Sequence, residues 1–283
     1  MAPVIARWLA AHGVPTWLLP DYFQLAILAL LVGSGLALWL ARRDGASSLH
    51  TSRAIACAYV GAWLGGYVFE SLRALPAAFW TGSFHGVLHP GRAAYGGLLA
   101  GIAGAILYLS VHRQPLVPFF DRVAVGTGLA FAFIRTGCFL SGCDYGIPTS
   151  HSWGVRFPPH SLAALDHARR GFIPVGAYSL PVHPTELYEA ALGLLAAALA
   201  AVPLVRGRRD GTAFSVFLGA YAMGRFAIEG LRGDLDRGRL LSLSTAQWVS
   251  LGLLVSLLAS LLRLAPSLLR LPHGFHDSRR DPR

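Results

Sequence analysis

Apolar stretches of about 20 residues, the length a helix needs to cross a bilayer, recur about seven times along this chain. They fall at roughly 22–41, 54–73, 93–112, 122–141, 187–205, 213–232 and 246–264. The pattern predicts an all-α, polytopic integral membrane protein whose membrane domain covers 20–264. Residues 142–186 break it. With Pro148, Pro158, Pro159, Pro174, Pro181 and Pro184 they are too polar and proline-rich to span, and they read as a periplasmic loop or head segment. Residues 1–19, interrupted by Pro15, read as an interfacial lead-in with Trp8 and Trp17 at headgroup level, and 265–283 as a basic cytoplasmic tail.

Composition sharpens this picture. The chain has 283 residues, 54% hydrophobic and 13% charged, a profile of a multi-span membrane protein rather than a soluble enzyme. Its net charge of +10 rests on arginine alone, without lysine. The arginines are scattered between apolar stretches and form no basic run, so anionic lipid suits them as a partner and nucleic acid does not. Arg42, Arg43 and Arg53 follow the first span, Arg113 and Arg122 the third, Arg206, Arg208 and Arg209 the fifth, and Arg263 and Arg270 the last. By the positive-inside rule these ends are cytoplasmic and the N-terminus is outside, although Arg73, Arg92, Arg232, Arg237 and Arg239 fall in the outer loops.

This topology brings four unusual segments to the outer face: AYGGLLAG (94–101), IRTGCFLSGCDYG (134–146), HPTELYE (183–189) and RFAIEGLR (225–232). An arginine near the bilayer centre costs about 2.5–3.5 kcal/mol on insertion scales, so Arg135 and Arg225 require a partner or a wet cavity. Arg225 and Glu229 are spaced as an i,i+4 pair, with Arg232 a turn on. That leaves Arg135 unneutralised and predicts a net positive pocket suited to a phosphate, a phospholipid headgroup being the obvious anion. An internal ion-pair network is the competing explanation. Gly96, Gly97, Gly137, Gly142 and Gly146 would let backbones approach each other or a ligand. Glu186 and Glu189 suit the positive end of a helix that begins at Pro184, and His183 reads as an orienting rather than a catalytic group.

Three cysteines are too few for a disulfide scaffold. Cys138 and Cys143 lie about 140° apart on an ideal helix and share a face only if the helix ends near Gly142. They could then form a disulfide or remain packing thiols, or Cys143 with Asp144 and His151 could hold a metal. The expectation is neither metal nor cofactor.

These segments, in order, resemble the bacterial prolipoprotein diacylglyceryl transferase family. Arg135, Gly137, Gly142 and Gly146 match its signature, approximately R-I-G-N-F-x-N-G-E-x-x-G. HPTELYEA is similar to its H-P-[ST]-Q-L-Y-E-A, which includes Tyr188, and RFAIEGLRGD to its R-F-x-x-E-x-x-R-x-x-D. The resemblance implies a seven-span inner-membrane enzyme, N-terminus outside, that moves diacylglycerol from phosphatidylglycerol to a lipoprotein precursor's cysteine thiol, next to its signal peptide. It further implies that Arg135 and Arg225 hold the phosphoglycerol, with Glu229 positioning Arg225 and Arg232 nearby. The chain departs from the family at Tyr95, where the family has the histidine of H-G-G, at Cys138 for asparagine, Cys143 for glutamate and Glu186 for glutamine. These departures bear on thiol activation, because a tyrosine of pKa near 10 is a poor base for a thiol near 8.5. His85, in SFHGVL, is a second candidate base. Two other readings remain open: a divergent paralogue using Cys138 and Cys143 for thiol or acyl-carrier chemistry, and a non-catalytic phospholipid-binding protein.

Overall fold

A capping box starts the first long helix: Gln24 N donates to Asp21 Oδ1 at 2.7 Å while the Gln24 side chain accepts from Asp21 N. This computed structural model describes residues 2–13, 15, 21–88, 94–233 and 239–269. A short helix α1 (Ala2–Ala11) precedes α2 (Tyr22–Arg43), and α3 (Ser48–Thr81) follows, capped by the Ser47 side chain. The brief α4 (His85–Leu88) folds back on α3, held by Tyr67 Oη donating to Leu88 O at 3.1 Å. Next come α5 (Ala94–Val111), α6 (Leu116–Ser141), the short α7 (Leu162–Arg169), α8 (Thr185–Val205) and α9 (Thr212–Glu229). A two-residue antiparallel pair, β1 (Arg239–Leu240) with β2 (Leu243–Ser244), leads into α10 (Thr245–Leu269).

Each expected span coincides with one of the seven long helices. Among the described residues, five helices are long and apolar enough to cross a membrane: α2, α3, α6, α8 and α10. α5 is shorter, and α9 carries Arg225 and Glu229 within its 18 residues. α3 departs most from expectation. Its 34 residues continue through Pro76 to Gly82, about 51 Å of helix against about 30 Å of hydrocarbon, so Arg73 lies on a helix and pairs with Glu70. α10 likewise runs into the stretch expected to be tail, while Trp17, Arg92, Arg237 and residues 270–283 lie outside the described residues.

The bundle is organised around α6, which packs on α2, α8 and α9; α3 pairs with α5, and α10 covers α9. Small residues allow these approaches. A Cβ at Gly128 on α6 would stand 2.5 Å from Gly193 O on α8. The core between α6, α8 and α9 is built from Ala124, Ala196, Ala197, Ala200, Leu204 and Phe217. Outward-facing Phe23, Leu31, Trp63, Leu107 and Leu262 are exposed, as a lipid-facing surface requires. Between α2, α3, α5 and α6 lies an apolar cavity of about 280 Å³, lined by Gly33, Ala62, Gly97, Gly101, Phe120 and Ile134 among others.

At the far end of α6, Asp121 is fully buried and caps α9, accepting from Gly211 N and Phe214 N, both at 2.8 Å. Nearby, Asp44 joins Arg122 (3.4 Å) and Arg209 (2.5 Å). Hydrogen bonds from the two arginines hold its carboxyl below the usual carboxylate value despite partial burial.

Candidate functional site

Helix α6 ends at Ser141 and is capped by Gly142, whose φ of +75° favours glycine and whose N–H donates to Cys138 O at 2.8 Å. The chain then turns through Asp144, itself left-handed at φ +65°, into a backbone junction at Gly146. There Gly146 N donates to His183 O at 3.0 Å, Ile147 N to Leu231 O at 2.8 Å, and Gly233 N to Tyr145 O at 3.0 Å. Three segments distant in sequence are thereby fixed side by side, just ahead of α8 and just past α9. Thr185 Oγ1 adds a bond to Asp144 O at 2.8 Å. A Cβ at Gly146 would lie 2.5 Å from His183 O and 2.9 Å from Leu231 O, so the junction admits glycine only.

This framework assembles three arginines and three carboxylates. Glu189, on α8 and buried, reaches Arg135 Nε (2.6 Å), Arg232 Nη1 (3.2 Å) and Arg225 Nη1 (3.5 Å). Arg225 also pairs closely with Glu229, as the i,i+4 spacing predicts. Asp144 bridges the upper side, Oδ2 at 2.6 Å from Arg135 Nη1 and Oδ1 in close contact with Arg232 Nη2. Burial works against ionisation of Asp144, but Arg232 and Arg135 outweigh it and hold its carboxyl below the ordinary value. A fourth carboxyl, Glu186, is wholly buried one turn before Glu189, with neither oxygen hydrogen-bonded.

Two expectations are corrected here. Arg135 is not unneutralised, since Glu189 and Asp144 both pair with it, and the ion-paired groups balance instead of leaving a net positive pocket. In the sequence Glu189 reads as favouring a helix start and Asp144 appears only as one member of an alternative metal set; the structure makes both carboxylates partners of Arg135. With Pro184 at its N-cap and TELYE as its first turns, α8 places Glu189 facing inward, the one signal in the sequence that a buried arginine partner was available.

Other candidates have different places. Gly96 and Gly97 pack on α3: a Cβ at Gly96 would lie 2.3 Å from Phe69 Cβ, and one at Gly97 2.9 Å from Ala62 O. Their role in the structure is helix approach. Gly137 lies against Tyr22 of α2 in the same way. The Tyr95 side chain lies outside the described residues, and His85 sits exposed on α4 against α3. His183 Nδ1 is 3.3 Å from Tyr188 Oη, which accepts from Trp153 Nε1 at 3.0 Å; the His183 ring is 5.7 Å from that of His151. Partial burial and His151 lower the His183 pKa.

Cys138 and Cys143 are free thiols, with Cys143 Sγ donating to Cys138 O at 3.6 Å. A ligand atom from each of Cys138, Cys143 and Asp144 lies within 4.8 Å of the others. His151, considered above as a metal ligand, instead stacks on Trp153, and Asp144 is already held by two guanidiniums.

Behind the junction, Tyr145, Phe157, Ala163 and Val182 form a small core of the head. Leu180 N donates to His167 Nδ1 at 3.2 Å, Arg170 pairs with Asp166 at 2.6 Å, and Arg170 Nη2 bonds Gly233 O at 3.0 Å.

Fold and site together define a polytopic membrane protein with a buried arginine–carboxylate cluster at one end of its bundle. Comparison places it further. A family model described as prolipoprotein diacylglyceryl transferase matches residues 17–263, and the chain belongs to that family. Similar proteins include the phosphatidylglycerol–prolipoprotein diacylglyceryl transferase of Clostridium tetani, 32% identical over 157 residues, 56% of this chain and 57% of that protein. A protein of that name from Symbiobacterium thermophilum is 36% identical over 169 residues, 58% of this chain and 59% of that one. The second such protein of Clostridium perfringens is 33% identical over 57% of each chain. The matched stretch thus spans little more than half the length of these relatives.

Proposed function

We propose that this chain transfers a diacylglyceryl group from phosphatidylglycerol to the cysteine thiol of a lipoprotein precursor. In this reading it acts in a bacterial inner membrane, crossing it seven times, with its N-terminus and the arginine cluster outside and its C-terminus in the cytoplasm. The observation that carries the reading is the convergence of Arg135, Arg225 and Arg232 on one buried carboxylate, in a member of this family.

The chemistry follows from the leaving group. The thiolate sulfur attacks the glyceryl carbon that bears the phosphate; a C–S bond forms, the C–O bond breaks, and its electron pair departs on glycerol phosphate. Charge grows on the phosphate oxygens, where fixed guanidiniums, poorly solvated and already oriented, stabilise it most. Arg135 and Arg225 are the phosphate ligands, Glu229 and Glu189 orient them, and Arg232 closes the side toward the head. Gly142 and Gly146 shape the backbone beside the headgroup, and His183 with Tyr188 form its aromatic rim. The thiol proton must be taken up before attack; Tyr95 can accept it only as the tyrosinate, and the imidazole of His85 is the second candidate acceptor. The precursor's signal peptide, itself apolar, arrives through the lipid.

The test is complementation of a strain depleted of its own diacylglyceryl transferase, with precursor lipidation followed by gel shift. The wild-type chain restores lipidation and Arg135→Ala does not. Absence of lipidation by well-inserted wild type would overturn the reading. The thiol grouping of Cys138 and Cys143 beside Asp144 favours one alternative, thiol chemistry on another lipid-linked substrate. Restoration of lipidation by the Cys138→Ser/Cys143→Ser double variant excludes it.

A further inference from the structure

The two carboxylates that span Arg135 and Arg232 differ in kind. Glu189 approaches from within the bundle, on a helix, with a side chain only 1% exposed. Asp144 approaches from the open side, on a non-helical residue of left-handed backbone, with a side chain 29% exposed. Its two oxygens are divided between the guanidiniums, Oδ2 on Arg135 and Oδ1 on Arg232. The two non-bridging oxygens of a phosphodiester make the same demand: a pair of anionic acceptors, one for each guanidinium.

We propose that Asp144 occupies the place of the lipid phosphate, so that phospholipid binds by exchange, the phosphodiester taking both guanidinium contacts as the Asp144 carboxylate swings out to water. This rests on the lipid-phosphate reading of the site given above and changes one ligand in it: Arg232, which shares Asp144 with Arg135, takes the second phosphate oxygen, and Arg225 stays paired with Glu229 beside them. The charges favour exchange over addition. Arg135, Arg225 and Arg232 are balanced by Glu189, Glu229 and Asp144, so a phosphate arriving while Asp144 stays adds an uncompensated negative charge in a poorly solvated place. Replacing one carboxylate by one phosphodiester keeps the balance. The same carboxylate returns as the glycerol phosphate leaves, so it weakens lipid binding and speeds product release. The substrate class is a lipid with a singly charged phosphodiester and an uncharged headgroup.

Asp144→Asn separates the charge from the backbone. Asparagine tolerates the left-handed conformation as aspartate does, and the Asp144 carbonyl that accepts from Thr185 is retained. Full-length wild type, Asp144→Asn, Asp144→Ser and Arg135→Ala, purified in detergent, are titrated with phosphatidylglycerol and, in parallel, phosphatidylcholine. Turnover is measured on the same preparations. Wild type binds phosphatidylglycerol and Arg135→Ala does not; the two Asp144 variants bind it about tenfold tighter, because the closed state no longer competes, and turn over more slowly at saturation. Phosphatidylglycerol binding that is lost in Arg135→Ala but unchanged or weakened in the Asp144 variants would overturn the exchange and leave the phosphate site standing. Wild type that binds no phosphatidylglycerol, or Arg135→Ala that binds it equally, would overturn both. Loss of the fold in both Asp144 variants would also overturn the exchange, since a carboxylate that leaves with every binding event cannot be needed to hold the bundle.

Discussion

Glu189 Oε2 lies 2.6 Å from Arg135 Nε, joining α8 to α6 through a carboxylate only 1% exposed and a guanidinium 17% exposed. Breaking such a buried pair by removing one partner costs about 3–5 kcal/mol. Glu189→Gln is therefore expected to lower yield and melting temperature sharply and to abolish lipidation. Glu70→Gln removes the partner of Arg73, a pair whose arginine is 72% exposed, and should leave the melting temperature unchanged. Thermal unfolding in detergent compares the two; equal effects would show that Glu189 does not hold the cluster.

Gly146→Ala tests the backbone junction. Its added methyl meets carbonyl oxygens of two other segments, which move only by displacing Arg232 and Asp144. Displacements near 1 Å can cost about a hundredfold in rate, so lipidation should fall steeply while insertion and α-helical content persist. Activity within about twofold of wild type would show that the junction does not set the arginine geometry.

Glu186 presents the reverse case. A carboxyl buried without hydrogen bonds is a liability of about 1–3 kcal/mol, so Glu186→Gln should leave the melting temperature unchanged or raise it by a few degrees, with lipidation retained. A fall of more than about 5 °C would reveal a partner that depends on the carboxylate.

The head is expected to respond to acid. Burial lowers the His167 pKa below its ordinary 6.5, and Nδ1 accepts from Leu180 N, a bond that a protonated ring cannot make. The unfolded chain takes up this proton more readily than the folded one. The contribution is therefore full above about pH 6.5 and is lost as pH falls through the lowered folded value. Limited proteolysis of 142–186 at neutral and mildly acidic pH should show faster cleavage in acid, and His167→Gln should be cleaved fast at both.

Much of this was legible in the sequence, and the reasons are physical. The long helices are legible because apolar stretches near bilayer length mark them, five of which are long and apolar enough to cross a membrane, and the termini of α6, α8 and α9 were marked by Gly142, Pro184 and the arginines around Glu229. The Arg225–Glu229 pair was legible because helical spacing alone brings it together. The partners of Arg135 were not, because Glu189 and Asp144 reach it through tertiary packing and a left-handed turn that no local pattern announces. Nor was the length of α3, where Pro76 and Arg73 look like a span ending although the helix continues outside the apolar stretch. Gly96 and Gly97 illustrate the ambiguity of small residues: a GG reads equally as room for a ligand or for a helix, and here it admits helix α3.

The pairing of Arg135 with Glu189 also sets a timetable. Arg135 leaves the ribosome 54 residues before Glu189, counting from 135 to 189. Until α8 arrives, Asp144 is the only one of its two carboxylate partners that has been made, and α6 holds an arginine whose full burial would cost about 3 kcal/mol without the second. The same residue that ties the finished bundle together thus makes its half-built form hesitant, and truncation after α6 should yield a segment that lingers at the insertion site instead of releasing into the bilayer.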